Sequence, residues 1–361
     1  MSGDKQIQKA GSNSLQCQAE NITIINGVSE ERVRAIFTEQ SQLARREYTE
    51  DAYRIADERV GKFEDCFMPR IAQVENALPF FADPAFQFLL RHAQQMAAAT
   101  ERDADYDLLT ELLICHVQKG DDRKNRAAIN RAVEIIGDVD NDALCGLTAA
   151  HALLSFSPVT GNCIDGIKVL NDLFSKIIYR ELPAGSEWLD HLDILGAVRI
   201  SPFGKMKTSV EYYSSSLNGY ICVGIHEESE EYKKAIDLLD NAKINQNILV
   251  PNECLDGFYR LAIRNEDSIE DLAFNYGAVR VPLSYEQKGS LKQIWGMYET
   301  EDALKKQAEN RFIEIWDSFD TLSKLRKWWD SIPNAFSITQ VGRILAQTNA
   351  KRCDSSLPDL I

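Results

Sequence analysis

The chain reads as a mainly α protein: a helical bundle with a small α+β, winged-helix-like region and an N-terminal β oligomerisation segment. Three observations predict this. Apolar residues recur at helical spacing through most of the 361 residues. A stretch of period-two alternation, residues 6–26, stands apart from them. Around residues 186–263, helical patterns give way to short apolar runs bounded by glycine and charge.

Residues 1–28 form the first region. Ile7, Leu15, Cys17, Ala19, Ile22 and Ile24 alternate with Gln6, Gln8, Gln16, Gln18, Asn21 and Thr23. Turn residues Gly11, Ser12 and Asn13 divide the run. A strand pair this small does not hold itself together in water. Glutamine and asparagine on its polar face favour amide ladders between identical chains. Residues 1–28 are therefore expected to join subunits, a loosely attached tail being the competing reading.

Residues 29–75 follow as one long helix. Ser29 is placed to cap it, with Glu30 and Glu31 in the first turn. Val33, Ile36, Phe37, Leu43, Ile55, Phe63 and Phe67 recur along one face. Unbroken, roughly 40 residues would extend roughly 60 Å, a length that suits coiled-coil contact with another chain or lengthwise packing on the body. Together the two regions nominate Leu15, Cys17, Ile22, Ile24, Val33 and Phe37 as the self-association surface.

Residues 76–182 predict a bundle. Asp83-Pro84 is a helix start, with Phe88, Leu89 and Ala93 behind it. Asp105 or Asp107 is expected to cap the next helix, which runs through Leu108, Leu112 and Val117 to Gly120. Helices then follow over residues 121–137, 140–157 and 163–179, with Asp121/Asp122 and Asp140/Asp142 as caps. Loops this short imply a compact bundle.

In residues 183–284 the pattern mixes. Ser186 opens a helix, residues 197–200 and 219–225 read as strands, Ser229 caps a helix to residue 239, and residues 258–263 form another strand. Residues 285–361 return to helix, with a basic, aromatic cluster at Lys324, Arg326, Lys327, Trp328 and Trp329. That cluster suggests base stacking or, alternatively, core tryptophans under a solvated face. The end reads as a short strand at Ser337, Ile338 and Thr339, then a helix through Ile344 and Leu345.

The net charge is −15. Neutralising many phosphates requires the opposite sign, so nucleic acid and anionic membranes are not expected partners. The eight cysteines, Cys17, Cys66, Cys115, Cys145, Cys163, Cys222, Cys254 and Cys353, contain no C-x-x-C pair. They are expected to be reduced and mostly buried, in a cytoplasmic protein.

No set of residues reads as a catalytic, cofactor or metal site. Glycine-rich phosphate loops and H-E-x-x-H are absent. His226-Glu227-Glu228 has the H-x-E spacing of zinc deaminases, but the P-C-x-x-C that should follow is missing and Cys254 stands alone. Glu231-Tyr232-Lys233 has an E-x-K without an upstream strand acid. Cys115, His116, Cys145 and His151 suggest zinc only if the bundle brings them together, a satisfied core histidine being the plainer reading.

The runs LLTELLIC (108–115), AINRAVEII (128–136), DNDALCGLTAAH (140–151) and ITQVGRILAQTNA (338–350) resemble the helical region of bacterial abortive-infection alpha proteins. The segment GSNSLQCQA (11–19) resembles G-x-N-x-x-Q segments at the ends of bacterial immune and signalling proteins, some of which make amyloid-like contacts. The resemblance implies a bacterial cytoplasmic protein of phage defence and supplies no catalytic residues. The expected function is thus a non-enzymatic scaffold, a homo-oligomer with a further protein partner. A nucleic-acid-binding regulator and an enzyme with an unrecognised site are the alternatives.

Overall fold

The computed structural model describes residues 29–44, 50–201, 203–276 and 279–358. The β segment expected over residues 1–28, with Leu15, Cys17, Ile22 and Ile24, lies outside them.

The described chain opens with α1 (Glu30–Ala44), capped by Ser29, whose Oγ accepts from the Arg32 amide at 3.2 Å. Then comes α2 (Glu50–Ile71). The single long helix expected over residues 29–75 is not what forms. In an unbroken helix Phe37 and Phe67 would stand about 45 Å apart, whereas their ring centroids are 6.3 Å apart, with Phe63 beside both. The chain folds back so that both helices pack on α3 (Pro84–Ala99). Gln94 donates to the Phe37 carbonyl at 3.0 Å and Arg91 to Gln40 at 2.7 Å. Val33 and Phe37, expected to face another chain, are therefore buried in this chain's own core, each 1% exposed.

The five helices expected between residues 80 and 180 are present: α3, α4 (Asp103–Lys119), α5 (Arg123–Ile135), α6 (Asn141–Ser155) and α7 (Cys163–Ile177). Their starts follow the local chemistry. Asp83, Asp122 and Asp140 each accept backbone N–H groups at a helix N-terminus, which would otherwise be orphaned. Asp105 is a correction: it lies inside α4, buried, and accepts from Arg102 Nε at 3.0 Å.

Beyond α8 (Glu187–Ile194), β1 (Val198–Ser201) and α9 (Ser209–Ser216), the winged-helix expectation for residues 183–284 fails. A winged helix keeps its strands within one local unit. Here β1 pairs antiparallel with β7 (Ala335–Ile338), far along the chain, with Val198 opposite Ile338. Of the apolar run at residues 219–225, only Ile225 enters a strand, β2 (Ile225–His226). Tyr220 and Val223 instead turn into the bundle core. The predicted helix from Ser229 is α10 (Glu230–Asn241), with the serine as its cap. The strands β3 (Leu249–Pro251) and β4 (Phe258–Leu261) join β2 in an antiparallel sheet of order β2-β4-β3. A hairpin, β5 (Ala273–Tyr276) with β6 (Val279–Pro282), leads into α11 (Tyr285–Trp295). The three-stranded sheet, α10 and α11 enclose a second, smaller core of Ile225, Leu239, Leu261, Ile269, Leu291 and Ile294.

The chain then returns to the bundle through α12 (Asp302–Asp317) and α13 (Asp320–Ser331), which lie against α7 and α9. The tryptophans are core. Trp316, Trp328 and Trp329 donate their indole N–H groups to the carbonyls of Leu322, Pro183 and Lys207 at 2.8–2.9 Å. The base-stacking reading of residues 324–329 thus loses its aromatic faces, as the winged-helix reading lost its wing. Last comes α14 (Gln340–Cys353), capped by Thr339 and seated against α4, α5, α6 and α7. Its Ile344, Leu345, Ala346 and Ala350 are fully enclosed, and Asn349 donates to Thr148 at 2.8 Å. Among the described residues no helix is long and apolar enough to cross a membrane.

Candidate functional site: a thiol–guanidinium node beneath a polar cleft

Where the small sheet meets the bundle, the structure brings together residues that the sequence scatters. The turn between β3 and β4 is drawn in by Asn252. Its amide donates to the Cys222 and Val223 carbonyls at 2.8 and 2.9 Å, and its oxygen accepts from the Cys254 amide at 2.9 Å. Glu253 reaches across to the bundle: one carboxylate oxygen accepts from the Cys163 amide, at the first residue of α7, at 2.9 Å. A helix N-terminus has free N–H groups and a positive dipole end, so a carboxylate there is doubly favoured.

The other Glu253 oxygen accepts both Nε and Nη2 of Arg260, at 2.9 and 2.7 Å. Arg260 lies in β4 with its side chain wholly enclosed. Its Nη1 donates to the carbonyls of Gly161 and Leu261, and its guanidinium lies 5.5 Å from the centre of the Tyr220 ring. Tyr220 in turn donates to the Thr160 carbonyl. Its ring needs Gly166: a Cβ there would come within 2.6 Å of it. Burial opposes the Arg260 charge, but the Glu253 carboxylate outweighs it, so the guanidinium is held firmly protonated.

Three cysteines surround this ion pair. Cys222 donates to the Gly219 carbonyl at 3.3 Å, and burial pushes its thiol up to about 12. Cys254 Sγ donates to the Tyr220 carbonyl at 3.7 Å, and Cys163 is fully buried at the start of α7. Interaction with the Cys163 thiol, and then with Arg260, lowers Cys254 below the usual thiol range, while interaction with Cys254 and burial push Cys163 up. Cys254, Glu253 and Phe258 also form one wall of a cleft of about 860 Å³. Its other wall is α12, with Leu304, Gln307 and Arg311.

The residues singled out from the sequence for metal or acid–base work do not meet. Cys145 points at the Ile177 carbonyl, its thiol pushed up to about 11 by burial. His116 stacks near Phe86, with ring centroids 5.7 Å apart. His151 contacts Ser155 Oγ and Gln347 Oε1 at 3.2 and 3.3 Å. Burial lowers both histidines below the usual imidazole range. His226 lies edge-on to Phe258, and Lys233 pairs with Glu230 at 2.8 Å. Among the described residues no three His, Cys, Asp or Glu side chains come together to hold a metal ion.

The class these features define is a helical bundle with a small α+β unit pinned to it by a buried ion pair. A protein-family model matches residues 27–360, and the chain belongs to that family. No curated protein and no solved structure matches the chain.

Proposed function

We propose that the chain is a non-enzymatic scaffold protein that self-associates through residues 1–28 and acts in bacterial phage defence. The observation that carries this reading is the period-two pattern of residues 6–26, which differs from the helical spacing of the rest of the sequence, and the family match opens at residue 27. Val33 and Phe37 being committed to the core of the body, self-association falls to Leu15, Cys17, Ile22 and Ile24. Period-two apolar residues on so short a segment gain order only beside other strands. Its glutamines and asparagines suit ladders between copies. The body supplies a rigid mass with a polar cleft for a protein partner. The likeness of residues 108–115, 128–136, 140–151 and 338–350 to abortive-infection alpha proteins supports defence as the setting.

The test compares the full chain with one beginning at Ser29 by sedimentation and circular dichroism. The full chain should sediment as an assembly, and the shortened one as a single subunit of equal helical content per residue of the body. The same oligomer from both would remove the role of the segment. Plaque counts on a bacterium producing either chain test the setting: protection by the full chain alone is expected, and equal plaque numbers with and without it would rule out defence.

A further inference from the structure

We propose that the hollow between the C-terminal end of α7 and α13 binds a small organic anion, an apolar body carrying one carboxylate or phosphate head. The proposal does not rest on the assembly reading above. Its ground is a local reversal of charge over an apolar floor. The hollow has a volume of about 630 Å³, within the range of small-molecule pockets. Ile178, Leu182 and Trp328 give it apolar surface, and Tyr179 stands with them, 41% exposed. These walls are fixed in advance of any ligand. Trp328 is held by its bond to the Pro183 carbonyl, and the Arg352 guanidinium lies 5.1 Å from the centre of the Tyr179 ring. The Ser175 and Thr321 hydroxyls, 3.2 Å apart, pin α7 to α13.

Arg180, Lys324 and Lys327 line the same hollow, against one carboxylate, that of Glu181. This is the reverse of the chain as a whole, whose net charge is −15. Lys324 and Lys327 lie three residues apart on α13, so their side chains are neighbours on one helix face and can share one head group. Arg326, between them in sequence, takes Asp317 and Asp330. Among the described residues neither lysine has an ion-pair partner of its own. Arg180 is steadied by Asp142 at 2.6 Å. The C-terminal end of α7 is the negative end of its dipole, so the head belongs on the α13 side, at Lys324 and Lys327, with the body over Ile178 and Leu182. An inorganic anion alone would leave the apolar floor in water, and an uncharged body would leave the two lysines without a counter-charge. A molecule with both parts uses both features.

Octanoate and octyl phosphate are titrated into the full chain by isothermal calorimetry, with octyl glucoside as the body without a charge and inorganic phosphate as the head without a body. One or both of the two anions should bind at one site per chain, and the tighter of them identifies the head. Octyl glucoside and inorganic phosphate should each bind about tenfold more weakly, or less. In the double variant Lys324→Glu, Lys327→Glu, affinity for the anion should fall about tenfold or more, with the circular dichroism spectrum unchanged. Lysine acetylation of the wild-type chain, mapped by mass spectrometry, serves if that variant does not fold. The bound anion should shield Lys324 and Lys327 and leave Lys306, which lines the other cleft, as reactive as before. The proposal is overturned if neither anion binds saturably, or if octyl glucoside or phosphate alone binds equally well. Full affinity in the folded double variant, or unshielded Lys324 and Lys327, would overturn it too.

Discussion

A guanidinium with no exposed surface must be satisfied entirely by protein. Arg260 is satisfied by the Glu253 carboxylate, two backbone carbonyls and the face of Tyr220. Removing the carboxylate would leave a charge buried without its counter-ion, a change that costs about 3–5 kcal/mol in comparable pairs. Glu253→Ala should lower stability by that order in urea titration, and more than the loss of any exposed pair such as Lys233–Glu230. The buried histidines set a second expectation. His116 and His151 have lowered folded-state values, so the folded protein binds fewer protons than the unfolded chain between the two. Their contribution is intact above the unfolded value, about 6.5, and is lost as pH falls through the folded one. The melting temperature should drop on acidification across that window, and less so in His151→Gln. At this scale the capping aspartates were legible in the sequence because a cap acts within three residues. The Glu253 bridge was not: Glu253 and the Cys163 amide it accepts from are 90 residues apart, and no local spacing encodes that approach.

Among the elements, α14 depends most on the rest of the fold. It has an ordinary helical pattern, and the sequence groups it with residues 285–361. Yet it fills the space between α4, α5, α6 and α7, and its inner face is enclosed all along. Leu345→Ala should therefore cost about 2–5 kcal/mol, the range for truncating a fully buried leucine. Denaturation followed by tryptophan fluorescence and circular dichroism should show one coincident shifted transition for the bundle. A shift of a few tenths of a kcal/mol would mean the helix is peripheral. The β1–β7 pair shows the limit of local reading: both apolar runs are visible, but which strand each one meets is settled by where the bundle helices place them. The same holds for residues 219–225. Their run has strand composition, yet Tyr220 is drawn into the bundle core beneath Arg260, and Gly219 allows the Ile263 carbonyl to come within 2.3 Å of where a Cβ would sit.

The whole molecule has two cores of unequal size. Among the described residues the bundle core runs from Val33 to Ala350, while the sheet, α10 and α11 enclose eleven buried apolar side chains. Local opening follows the amount of buried apolar surface. Hydrogen exchange should therefore show the amides of α10 and β3 opening at lower free energy than those of α3, α4 and α6. Equal protection throughout would mean the node makes one cooperative unit of both. The mainly helical class was legible from periodicity alone. The winged helix was a misreading of strands that belong to two different sheets.

The seat of α14 also constrains how the protein comes into being. Thr148 acquires its Asn349 partner only 201 residues later in the chain. As the polypeptide emerges from a ribosome, α4, α5 and α6 are made early and must wait, their oily groove open to water, until the last helix arrives. A nascent or prematurely ended chain that lacks α14 therefore leaves apolar side chains of α4, α5 and α6 uncovered.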